Sequence, residues 1–108
     1  TPTPYDPTIW FPDGIYHGGD QWDHWPDVAQ FNYWNKTTFE YMKQTLASIA
    51  KVADGIRCDM AMLVMNKYIY QDWATPLNAW GYKQPDNEFW TEAISYAKTI
   101  NPDLIFMA

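Results

Sequence analysis

Asp54-Gly55-Ile56-Arg57-Cys58-Asp59-Met60 is the stretch whose reading decides the fold. It comes directly after an amphipathic helical pattern and reads as a short apolar strand over roughly 55–60. Side chains alternate across a strand, so Ile56, Cys58 and Met60 share one face while Arg57 and Asp59 share the other. An Arg and a carboxylate on one buried face are costly unless they pair or do chemistry. Cys58 sits among the apolar residues as a small packing group, and a lone cysteine forms no internal disulfide.

Upstream of this strand, Thr37 opens a helix and Glu40, three residues on, completes a capping box. Phe39, Met42, Leu46, Ile49, Ala50 and Ala53 recur at helical spacing and form its apolar face. Gly55 ends it. Val28-Ala29-Gln30-Phe31-Asn32, ahead of the helix, is a short strand candidate. Downstream, Met65 to Trp73 fits a short helix or irregular chain, and Pro76, Gly81 and Pro85 break the chain beyond Trp73 into a loop. Asp86 or Asn87 then caps a second helix over about 87–99, with Phe89, Trp90, Ile94 and Ala97 on its inner face. Asn101-Pro102-Asp103 closes that helix, and Leu104 to Ala108 forms a last apolar strand. Strands alternating with helices in this way imply βαβ units on a parallel sheet.

Residues 1–26 carry Pro2, Pro4, Pro7, Pro12, Pro26, Gly14, Gly18 and Gly19 and read as one long loop. Trp10, Phe11, Tyr16, Trp22 and Trp25 argue for a cleft-lining role there. The whole chain holds seven Trp, eight Tyr and five Phe, and aromatics make up 19% of its 108 residues. Aromatic rings pack cores, but they also stack on the apolar faces of sugar rings. Trp22, Trp25, Tyr33 and Trp34 are the candidate sugar-stacking positions.

A formal net charge of −6, without any basic run, argues against nucleic acid or an anionic membrane as partner. The longest apolar run, Met60 to Met65, falls far short of the roughly 20 residues that span a bilayer. Thr1-Pro2-Thr3-Pro4 carries no basic and apolar lead, which leaves cytoplasmic and exported locations both open. His17, Asp20, Asp23 and His24 lie close in sequence, yet their spacing matches no established metal-ligand pattern, so no metal is assigned. Asn35-Lys36-Thr37 is a glycosylation sequon whose simpler role is to start the helix.

The segment 54–59 resembles the second signature region of the alpha-amylase family of retaining glycoside hydrolases. Two further segments resemble that family in the right order: Trp25 to Asn35, like its third barrel strand, and Pro102 to Ala108, like the run into its acid/base Glu. The resemblance implies that residues 27–108 form a parallel βαβαβ portion of a (β/α)8 barrel, from about the third to the fifth strand. A whole barrel needs roughly 250 residues, so the remainder must come from further sequence or from oligomerisation. It implies Asp59 as nucleophile, attacking the anomeric carbon of an alpha-glucan or alpha-glucoside, and Arg57 as the cation that keeps it ionised. A partner carboxyl about 5–5.5 Å away would act as acid and then base. That Glu and the third carboxylate have no counterpart here, so the chain alone is expected to be inactive.

Met62 and Leu63 stand where the family often carries a Lys or His that contacts sugar hydroxyls, so that contact is lost or supplied elsewhere. Some relatives hold calcium near the aromatic loop; otherwise no cofactor is implied. An Arg–Asp pair with no catalytic role is the plainer reading of Arg57 and Asp59. The alternative for the chain is an oligomeric, non-catalytic carbohydrate-binding or assembly module, and a further one is an inert relic that folds only as an oligomer.

Overall fold

Asn35, the sequon asparagine, begins the first helix. Its side-chain oxygen accepts the Thr37 N–H at 2.8 Å, and its amide nitrogen donates to the Tyr82 hydroxyl at 3.3 Å. Helix α1 therefore spans Lys36–Ala50 with Asn35 as its N-cap, two residues ahead of the Thr37 cap that the capping-box reading implied. Glu40 has a different task, accepting from Lys43 Nζ at 3.2 Å on the helix surface. Phe39, Ala47 and Ala50 form the buried stripe, while Ile49 lies exposed at its margin.

A computed structural model describes residues 17–19 and 24–108. After α1 come strand β3 (Gly55–Arg57), a single 3-10 turn (Ala61–Val64), α2 (Asn66–Ala79), α3 (Phe89–Ile100) and strand β4 (Ile105–Met107). Strands β1 (His17–Gly19) and β2 (His24–Ala29) precede α1. The molecule is thus a small mixed α/β domain with three helices and a short parallel sheet among the described residues. No helix of the described residues is long and apolar enough to cross a membrane.

Strands β3 and β4 pair in parallel, with Gly55 opposite Ile105, Ile56 opposite Phe106 and Arg57 opposite Met107. Helices α1 and α3 cover one face. There Ala50, Ala97 and Leu104 form a buried cluster, and Ile56 and Phe106 pack onto it from the sheet. Alanines at the crossing let the two helices approach each other and the strands closely. Gly55 serves the same closeness, since a Cβ there would sit 3.3 Å from the Ile105 carbonyl oxygen. The alternation read from the sequence is therefore correct about direction: Ile56 points to the helices and Arg57 away from them.

Three features differ from the sequence reading. First, Val28 and Ala29 join no parallel sheet: β2 pairs antiparallel with β1, in a separate two-stranded ribbon with an irregular register between His17 and Gly19. Residues 17–19 and 24–26 are thus strand where a loop was expected. Both strands of a two-stranded ribbon are edges, the setting in which a proline such as Pro26 and backbone irregularities are tolerated. Second, α2 runs straight through Pro76, which is buried. An interior proline costs roughly 3 kcal/mol, and burial of Ile69, Trp73 and Pro76 along the same helix offsets it. Third, β3 ends at Arg57, and Met60 adopts a left-handed conformation (φ 52°) that turns the chain into the 3-10 segment.

The break between α2 and α3 is closely tied. Glu88 precedes α3 without capping it; its carboxylate instead accepts the Asn66 backbone N–H at 2.9 Å, at the start of α2. The Asn66 side chain donates to the carbonyls of Pro85 and Asn87 at 3.3 and 3.4 Å. Neither Asp86 nor Asn87 supplies a side-chain cap to α3.

Candidate functional site

The end of β3 is held from both sides. The Cys58 backbone N–H donates to the Met107 carbonyl at 2.7 Å, extending the parallel ladder by one bond. Three residues later, the Ala61 carbonyl accepts the indole N–H of Trp90 at 2.8 Å, which fastens the turn to α3. Asp59 lies between these anchors, at the C-terminal end of the parallel strands. In parallel α/β architectures this is the end where chemistry is placed.

The Arg57 guanidinium reaches Asp59 across 3.4 Å. Both side chains are open to solvent, 70% and 75% exposed, which corrects the sequence reading of a buried face. Their face is the one opposite α1 and α3, and the exposed Ile105 and Met107 lie on it too. A pair so solvated contributes at most about 1 kcal/mol. Its chemistry is that of an accessible carboxylate beside a cation, able to act as nucleophile or base once water is excluded. Beside it, Cys58, Ala61, Trp90, Ile94, Phe106 and Met107 line a shallow apolar depression of about 220 Å3. Burial raises the Cys58 thiol above its ordinary value, which suits the packing role given to it.

The other candidate residues do not gather around Asp59. Met62 is exposed in the 3-10 turn that comes after it. Trp25 is half-buried in β2. Trp34 is 6% exposed and packs with Ile69 and Trp73, so its ring faces are spent on the core. Tyr33 packs edge-to-face on Phe89 at 5.1 Å, and burial raises its phenol above the ordinary value. Trp22 lies outside the described residues, as do Asp20 and Asp23. His17 and His24 belong to the paired strands β1 and β2, and no group of three or more metal-ligating side chains occurs among the described residues.

Tyr33 and Trp34 instead border a larger cleft, about 410 Å3, between the start of α1, the first turns of α3 and the loop 83–87. That loop reads in sequence only as a break, because Pro85 and the polar residues around it mask its role as a wall. No protein-family model, curated protein or solved structure matches the chain.

Proposed function

We propose that the chain is a portion of a retaining, alpha-amylase-type glycoside hydrolase barrel that acts on alpha-linked glucans or glucosides, with Asp59 as nucleophile and Arg57 as its electrostatic support. One observation carries the reading. Arg57 and Asp59 stand together at the C-terminal end of a parallel strand, on the sheet face opposite the helices. In a (β/α)8 barrel that face is the interior and that end is the catalytic mouth. The open face is also what a barrel portion has when neighbouring strands are not beside it.

Each group then has its own task. The carboxylate would attack the anomeric carbon while a second carboxyl, supplied from outside these elements, protonates the leaving oxygen and later activates water. Arg57 would hold Asp59 ionised once the face is covered and the local dielectric falls. Without that second carboxyl, the chain by itself is expected to show no turnover.

The test is hydrolysis of a maltooligosaccharide by the 108-residue chain and by the gene product that carries it. The isolated chain should be inactive. The longer protein should be active, and Asp59→Asn should cut its kcat by at least about 10⁴-fold while leaving its fold intact. Activity indifferent to Asp59→Asn would refute the nucleophile assignment. A second reading, an oligomeric sugar-binding or assembly module without turnover, is favoured by the exposure of Ile105 and Met107 on the uncovered sheet face.

A further inference from the structure

The cleft beside α1 has the composition of a binding site, and it lies apart from the β3 terminus: neither Arg57 nor Asp59 borders it. Its volume, about 410 Å3, falls within the roughly 300–1,000 Å3 of small-molecule sites. Its apolar floor is bordered by Tyr33, Trp34 and Phe39; Trp34 and Phe39 are committed to the core, and the half-buried Tyr33 is the one of the three that keeps appreciable exposed surface. The indole N–H of Trp34 is buried without an acceptor among the described residues. Such an orphaned donor costs about 1–3 kcal/mol and calls for a partner.

The rim is polar. Lys36, Lys83, Gln84 and Asp86 are exposed there, and none of their side chains makes a hydrogen bond or ion pair among the described residues. Glu40 and Glu92 also border the cleft, and Lys43 bridges them at 3.2 and 3.8 Å. Lys36, Lys43 and Lys83 thus balance Glu40, Asp86 and Glu92. A charge-balanced cleft has no preference for a phosphate or a cation. It does offer donors and acceptors in alternation above an apolar floor. Hydroxyls both donate and accept, while the C–H face of a pyranose ring is apolar, so a neutral sugar matches both layers.

We propose that this cleft binds neutral pyranose units of an oligosaccharide, as a site separate from Asp59. The inference rests on the carbohydrate reading above for its ligand class, and on the cleft alone for its location. The experiment is calorimetric titration of the 108-residue chain with maltoheptaose, alongside the double variant Lys83→Ala/Gln84→Ala, the single variant Lys36→Ala and Asp59→Asn. The substituted cleft residues are exposed, and circular dichroism checks that each variant keeps its helices. The double variant should weaken binding at least tenfold and Lys36→Ala severalfold. Binding indifferent to the cleft variants, or lost only in Asp59→Asn, overturns the cleft and leaves the carbohydrate reading standing. Absence of binding at sugar concentrations of about 10 mM overturns the cleft, while the carbohydrate reading is decided separately by the activity of the longer protein and its Asp59→Asn variant.

Discussion

Tyr33 and Cys58 are two residues whose protons the fold alters. Burial disfavours the phenolate of Tyr33 and the thiolate of Cys58, so the folded chain keeps both protons to higher pH than the unfolded chain does. Where the folded state binds more protons, stability falls as pH rises. The contribution of each group is complete below its ordinary value, 9.0 for the thiol and 10.0 for the phenol, and is lost as pH climbs through the raised folded value. Stability from these two groups should be flat through neutral pH and decline above pH 9 to 10. Urea unfolding across that range measures it. Tyr33→Phe should make the decline above pH 10.0 shallower, and an identical slope in the variant would contradict the assignment. At the same scale, Asn35 answers the sequon question: both ends of its carboxamide are committed, one to the Thr37 N–H and one to Tyr82, in starting α1.

At the scale of elements, the joint between α2 and α3 is where the fold depends on few contacts. Glu88 gives its carboxylate to the Asn66 N–H, so the helix that begins at Asn66 is capped by the residue before the next helix. A carboxylate at a helix N-terminus gains from both the hydrogen bond and the helix dipole. Glu88→Ala should cost about 1 kcal/mol, lowering Tm by about 4–8 °C. Amide exchange should speed up over the first turn of α2, whereas α1 should be unaffected. Unchanged exchange there would mean the contact carries no energy. This joint was not legible in the sequence, because capping by a residue 22 positions away leaves no local pattern. Helices α1 and α3 were legible, because apolar residues at 3.6-residue spacing over about three turns leave no other placement. α2 was read only in part: Pro76 signals a break locally, and only the tertiary burial of Trp73 and Pro76 reveals that the helix continues. The ribbon of β1 and β2 was missed because Gly18, Gly19 and Pro26 are turn residues by local rule, while strand pairing there is settled by backbone partners. The direction of Arg57 was legible from strand alternation, whereas Asp59 lies in the turn beyond the end of β3 and reaches Arg57 from there. Their exposure was not, since burial of a strand face depends on what lies across from it.

At the scale of the whole molecule, that uncovered face sets the strongest physical demand. Parallel sheets occur almost only with both faces covered, because their strands come with crossovers that bury them. Here β3 and β4 have helices on one side alone. On the other, Ile105 is 60% and Met107 54% exposed, next to the solvated Arg57 and Asp59. Each of the two strands also has an unpaired edge, since their sheet has no third member among the described residues. A chain of this size buries too little surface to leave an apolar sheet face in water at no cost. A second copy is a fitting cover. Under a two-fold axis the same face meets itself, which can set the Arg57 of one protomer against the Asp59 of the other while Ile105 and Met107 leave water together. Light scattering on the purified chain should therefore give a discrete multiple of 12.7 kDa that dissociates on dilution. Ile105→Asp would put an uncompensated charge in the middle of the contact and should yield monomer with a lower Tm. Arg57→Asp should weaken association too, by setting carboxylates against carboxylates. A wild-type monomer that unfolds cooperatively, and whose Tm is independent of concentration, would show instead that the helices alone suffice to hold the sheet.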